Sequence, residues 1–279
     1  MKTEKNMNTT LNLIPDRVRK SNSFMFSKLL VIAEIEFKAY INNIKSSYGQ
    51  LLEPIIYMVF LMAGLRGINQ YVTIEDGSQV DFMQFALPGI LAMMIIKFMA
   101  HTIYRSTIDK RWGLLALKFI NGVSPLTYIL GMTIYPAIMF LVQGTVVSLL
   151  LLLYGITFSV WNYILMMVIG LFCISFWCSL GIVITTRIDN YQQRDMLVGL
   201  LILPLIMTAP NFYSLYTAPT YSQVVAYFNP VTYQVSAMRS IFLESPSLLM
   251  ISISIIISLI MVFVASFLIR NAELISNER

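Results

Sequence analysis

Apolar and polar residues are patterned on two length scales along this chain. Across residues 24–44, Phe26, Leu30, Ala33, Phe37, Tyr40 and Ile44 recur at spacings of three or four, while Lys28, Glu34, Lys38 and Lys45 fall elsewhere. An apolar stripe at that period predicts an amphipathic helix. Beyond it the stripes give way to runs. Six apolar stretches, at 51–68, 83–104, 126–154, 160–186, 196–216 and 248–269, each approach the ~20 residues that cross a hydrocarbon core of ~30 Å. The third and fourth are longer, which predicts tilt or extension past the bilayer. The amphipathic segment carries charge and precedes the first run, so it is expected to lie in the membrane interface rather than cross it. A helix packed on a soluble partner is the alternative. The expected fold is therefore an all-α membrane protein, with six transmembrane helices behind an interfacial helix. Residues 1–22 are polar and basic with no period, and read as a flexible tail ahead of one membrane domain over 23–279.

Composition sharpens this picture. The 279 residues are 57% hydrophobic and 12% charged, against about 45–50% and about 25% in soluble domains. A water-soluble domain of this size cannot hide so much apolar surface, and the length leaves no room for a second, catalytic domain. The net charge of +5 does not mark a nucleic-acid partner, because the basic residues flank the apolar runs instead of lining one face. Their distribution is that of the positive-inside rule, with membrane lipid as the neighbour. Eight Lys and Arg lie from Lys2 to Lys45; Arg105, Lys110, Arg111 and Lys118 follow the second run; Arg187, Arg194, Arg270 and Arg279 fall on the same side. On the other side, residues 67–82 hold Glu75, Asp76 and Asp81 but no Lys or Arg, and the loop at 217–246 holds only Arg239. Both termini are expected in the cytoplasm of a multi-pass protein of the cell's inner membrane. No apolar segment follows Lys2 and Lys5, so insertion is expected to rely on the internal runs. Cys173 and Cys178 lie five apart in an apolar run, a spacing that suits small buried side chains and not a metal or redox pair.

Candidate chemistry is sparse. His101 is the one histidine, and the runs contain no paired carboxylates, HExxH, nucleophile elbow or Walker A loop. No catalytic residue, metal site or directly bound cofactor is expected. Lys97 and His101 interrupt the second run four residues apart, on one helix face. Two readings fit them: a lined cavity or pairing site at membrane depth, or a Lys97 ammonium that snorkels to the boundary. Glu53 and Arg66, at the ends of the first run, read as anchors. Residues 107–124 form a basic amphipathic stretch with Trp112, Leu115 and Phe119 at helical spacing, suited to receiving a push from a partner or to anchoring in the interface. In the loop at 217–246, Asn229 and Pro230 suit an N-cap and first helical turn. Val231, Val235, Met238 and Phe242 then share a face, and the stretch is too polar to span. Two short re-entrant helices before the last run are expected there.

Four segments together resemble the membrane subunit of ABC transporters of the type-2 exporter superfamily. They are YGQLLEPIIY at 48–57, QFALPGILAMM at 84–94, DKRWGLLALKFINGVSPLTYILG at 109–131 and NPVTYQVSAMR at 229–239. Their order and spacing cover roughly 24–270. The chain departs from the family's pattern at Lys110, Arg111 and Trp112, where Glu and Arg often precede the Gly, and at the Gly122-Val123-Ser124-Pro125 turn. These departures bear on which ATPase fits and not on the architecture.

The resemblance implies a permease that dimerises, with a second copy or a paralogue, and binds cytoplasmic ABC ATPase subunits that hold ATP and Mg. Asp109, Lys110, Arg111, Trp112, Leu115 and Phe119 would belong to the coupling helix that docks on the ATPase. Lys97 and His101 are the translocation-path candidates, and Asn229, Pro230, Tyr233 and Arg239 would belong to helices shaping the exit. Export of an amphipathic or hydrophobic drug-like or natural-product-like compound is the first expectation, and export of a lipid-linked polysaccharide the second. A non-transporting scaffold subunit and a membrane enzyme are the readings from other classes; copurification of an ATPase separates transport from both.

Overall fold

A computed structural model describes residues 26–42, 44–68, 70–74, 77–188 and 190–270. The tail at 1–22 and both termini lie outside the described residues. The interfacial segment forms α1 (Phe26–Asn42). The first apolar run falls on α2 (Ile44–Ile56), a π-helical turn (Tyr57–Met62) and α3 (Ala63–Ile68). A short antiparallel hairpin, β1 (Tyr71–Thr73) and β2 (Gln79–Asp81), pairs Val72 with Val80. It is followed by α4 (Phe82–Arg111), α5 (Leu114–Ile120), α6 (Pro125–Leu153) and α7 (Val160–Thr185). The chain continues with α8 (Tyr191–Thr208), a 3-10 turn (Leu215–Thr217), α9 (Thr220–Tyr227), α10 (Pro230–Phe242) and α11 (Leu248–Arg270).

Local chemistry sets most boundaries. Asp81 caps α4 by accepting from the Met83 N–H at 2.8 Å, and Ser124 caps α6 ahead of Pro125 at its first position. Asn190 caps α8 from the Gln193 N–H at 2.8 Å. These side chains satisfy amides that a helix start leaves without partners. The turn from α4 into α5 needs a left-handed residue, and Gly113 supplies it at φ +69.

Among the described residues, four helices, α4, α6, α7 and α11, are long and apolar enough to cross a membrane. They match the second, third, fourth and sixth apolar runs. The other two runs differ from simple spans. The first is helical throughout but interrupted by its π turn, just after Pro54. The fifth splits: α8 stops at Thr208, because Ala209 precedes Pro210 and is pushed to an extended ψ of 147. Residues 209–216 are therefore not part of the expected fifth helix. The π turn was invisible to period and length alone.

α4 and α7 form the centre of the bundle; α6, α8 and α10 pack on α4, and α6, α10 and α11 on α7. Small residues permit the close contacts, as helix association in lipid favours. A side chain at Gly181 would press on the Met99 carbonyl and the Ile103 side chain of α4, and one at Gly89 would run into the Asn211 carbonyl. α1 lies against α6, where Ile32 fills the space above Gly131. Phe26, Leu30 and Phe37 of the predicted stripe are exposed, as are Val31, Ile35 and Ile41. The opposite face, with Ile32 and Glu36, is buried on the bundle. The exposed side of α1 is thus its apolar one, the side expected to meet either the membrane interface or a protein partner.

Candidate functional site

The residues at the α5 end of the bundle form one connected structure. Asp109, near the last turn of α4, is buried, and its carboxylate accepts from the Lys118 ammonium and from the Tyr128 hydroxyl at 2.9 Å. This ties α4, α5 and α6 together. Leu115 and Phe119 point inward and pack with Ile32, Tyr128, Ile182 and Ile269 in a second core. Lys110 reaches the carbonyls of Thr186 at 3.1 Å and Ile188 at 2.8 Å, where α7 ends and a cation meets the negative end of the helix dipole. The Arg111 guanidinium lies 4.2 Å from the centre of the Tyr191 ring. Trp112 is largely exposed, and its indole N–H donates to the Tyr191 hydroxyl at 3.2 Å.

Spacing alone had grouped Trp112, Leu115 and Phe119 on one face. In the structure Leu115 and Phe119 hold α5 down, and the outward apolar face is Trp112, Leu114, Leu117 and Ile120. That face was also legible, as a second stripe with Leu114, Leu117 and Ile120 three apart. Period cannot say which of two stripes faces the bundle. Two contacts from α1 complete this end. The Lys28 ammonium donates to the Gly122 carbonyl at 2.7 Å, in the turn between α5 and α6. Arg105 grips the buried Glu36 carboxylate with Nε at 2.8 Å and a terminal nitrogen at 3.0 Å. On the outer face of α1, the hydrogen bond from Lys38 holds the Glu34 carboxyl below its usual range.

Lys97 does not stand alone among apolar side chains. Its ammonium forms an ion pair with Glu53 of α2 and approaches the Tyr57 hydroxyl at 3.1 Å. Nearby, the Tyr135 hydroxyl of α6 donates to the Gln50 side-chain oxygen at 3.1 Å, and Gln143 donates to the Gln50 carbonyl at 2.7 Å. The His101 ring lies 4.7 Å from that of Tyr135, and its Nδ1 is buried without a hydrogen-bond partner among the described residues. The first run and the α4–α6 pair thus share a polar seam. Glu53, expected at the end of the first run as an anchor, pairs with Lys97, 44 residues away, a contact without a signal in the sequence. Arg66 has no described side chain.

At the opposite end, Asn229 caps α10 from the Val231 N–H at 3.0 Å, and its amide donates to the Leu205 carbonyl and the Thr208 hydroxyl of α8 at 2.8 and 2.9 Å. Pro230 takes the first helical position. The Tyr233 hydroxyl donates to the Tyr227 carbonyl at 2.9 Å, tying α10 back to α9. Arg239 is buried and donates to the carbonyls of Phe85 and Pro210 at 2.9 Å and of Asn211 at 3.1 Å, with its guanidinium 3.7 Å over the Phe85 ring. These four residues bind α8, α9, α10 and the start of α4 to one another. Cys173 and Cys178 are buried and free.

A family model described as "ABC-2 type transporter" matches residues 27–243. The chain belongs to the ABC-2 type transporter family. The match runs from α1 to the end of α10 and includes both ends of the bundle just described. An ABC-2 membrane domain is a transport permease subunit whose ATPase is a separate subunit. No curated protein matches the chain. Among the described residues, no group of three or more His, Cys, Asp or Glu could hold a metal ion.

Proposed function

We propose that the chain is the membrane permease of an ATP-driven exporter, with the α5 end in the cytoplasm, both termini there too, and the protein in the cell's inner membrane. The observation that carries this reading is the outward apolar face formed by Trp112, at the end of α4, and Leu114, Leu117 and Ile120 of α5, exposed where α5 is itself fixed by Asp109, Leu115 and Phe119. An exposed apolar patch suits a protein partner. A rigid mount lets a push on that face reach α4 and α6 directly. ATP and Mg belong to the partner, which closes and opens as it binds and hydrolyses nucleotide. Its motion biases one of two packings of the spans. A second permease, identical or related, completes the pathway, and the seam at Lys97, Glu53 and His101 offers polar contact in an otherwise apolar route. The transported compound is amphipathic or hydrophobic, since that seam is short and its ion pair is internally neutral.

The test is copurification of tagged protein in mild detergent, followed by an ATPase assay. A soluble ATPase is expected to come with the wild-type chain, and Trp112→Ala with Leu117→Ala is expected to weaken its hold about tenfold or more. Recovery of the folded permease alone, with no ATPase activity at any detergent concentration that keeps it intact, would overturn the reading.

A further inference from the structure

At the hairpin end of the bundle, α10, the start of α11 and the segment after α8 line a cavity of about 270 Å³ that opens to the surface. Its walls include Phe85, Leu215 and Met250, but its polar content is distinctive: Arg239 with five serines, Ser214, Ser236, Ser240, Ser245 and Ser247. Arg239 carries the sole positive side chain in residues 195–269. Only 9% of its surface is exposed. It meets three backbone carbonyls and an aromatic ring but no carboxylate, and one terminal nitrogen bonds no protein atom among the described residues. Carbonyl dipoles offset part of the cost of burying a guanidinium; a full negative charge offsets more. Of the five hydroxyls, Ser240 donates to the Ala237 carbonyl at 3.0 Å, and the other four have no hydrogen-bond partner among the described residues. Ser214 is among them although only 7% of its surface is exposed. Glu244, the acidic residue closest in sequence to Arg239, is exposed and does not line the cavity.

We propose that this cavity is a phosphate-binding site, taking the phosphate group of a lipid headgroup or a free phosphate compound. A tetrahedral anion can accept from several donors at once, which a fork-shaped cation in a serine-lined cavity offers and which a two-oxygen carboxylate would leave partly unused. The apolar walls receive the glycerol or sugar carbons next to the phosphate. This site stands apart from the α5 face and holds whether or not an ATPase docks there.

Arg239 also clamps three carbonyls, so Arg239→Ala can fail by misfolding. Ser214→Val and Ser236→Leu remove donors or fill the cavity and leave that clamp in place. Full-length protein in detergent would be mixed with phosphatidylglycerol, with diacylglycerol as its phosphate-free counterpart, or with inorganic phosphate. Native mass spectrometry and thermal unfolding read the result. Phosphatidylglycerol is expected to stay bound and raise the unfolding temperature where diacylglycerol does not, with retention falling about tenfold in each Ser variant. A full stabilisation by inorganic phosphate, lost in the variants, assigns the site to a free phosphate compound; stabilisation by phosphatidylglycerol alone assigns it to a headgroup. No difference between phosphatidylglycerol and diacylglycerol together with no effect of inorganic phosphate, or equal binding by wild type and both variants, overturns the proposal.

Discussion

α4 and α11 are both long enough to cross a membrane, yet they occupy opposite environments. In its most apolar stretch α4 is 89% buried within the protein, whereas α11 is 17% buried. The more buried helix is the more polar one. α4 carries Lys97, His101, Thr102, Ser106 and Asp109, while α11 reads LLMISISIIISLIMVFVASFLIR and keeps Ser254 and Ser258 turned inward. In water the rule runs the other way. When the surroundings are hydrocarbon, an apolar side chain gains little by turning inward, and polar groups gather where protein can satisfy them. Ser254 follows this logic by donating to the Tyr233 carbonyl of α10 at 3.0 Å.

The contrast can be broken most severely at Gly89. Gly89→Leu places a side chain against the Asn211 backbone, which cannot yield as a flexible side chain could. We expect a loss of about 3 kcal/mol or more, read as a collapse of the unfolding temperature in detergent; unchanged stability would mean that α4 and the post-α8 segment are not in contact. A middle effect is expected from Glu36→Gln, which leaves the Arg105 guanidinium facing a neutral amide. It should cost about 2 kcal/mol in denaturant unfolding, and a cost near zero would make the buried pair incidental. The smallest change is expected on the outer side of α11, where Phe263 is 74% exposed. Phe263→Ala should shift stability by no more than about 0.5 kcal/mol. A large loss there would show that Phe263 lies under another protein surface, such as a second permease.

The sequence made α4, α6, α7 and α11 legible because each is a long apolar run with a capping residue or turn at its start. Asn229-Pro230 placed the start of α10 to the residue. α8 ended early because a single proline outweighed the apolar residues beyond it. Period alone does not separate the two faces of α5, because Leu115 and Phe119 recur at a helical spacing as Leu114 and Leu117 do, and only packing tells them apart. Pairs such as Glu36 with Arg105 and Glu53 with Lys97 join residues 69 and 44 positions apart, and no local pattern encodes them. Arg239 stood out as a lone cation, but its carbonyl partners come from two distant segments.

The π turn at Tyr57–Met62 bears on how this chain can change length. Closing each ring with five residues' spacing instead of four absorbs one extra residue without ending the helix. Deleting one residue from this turn would leave an ordinary α-helix, with Glu53 before it and Ala63–Ile68 after it still on their present sides. Insertions and deletions are normally confined to loops, yet here a single-residue indel in the middle of an apolar helix is tolerable, and divergent sequences compared with this one would need a gap there to keep Glu53 aligned.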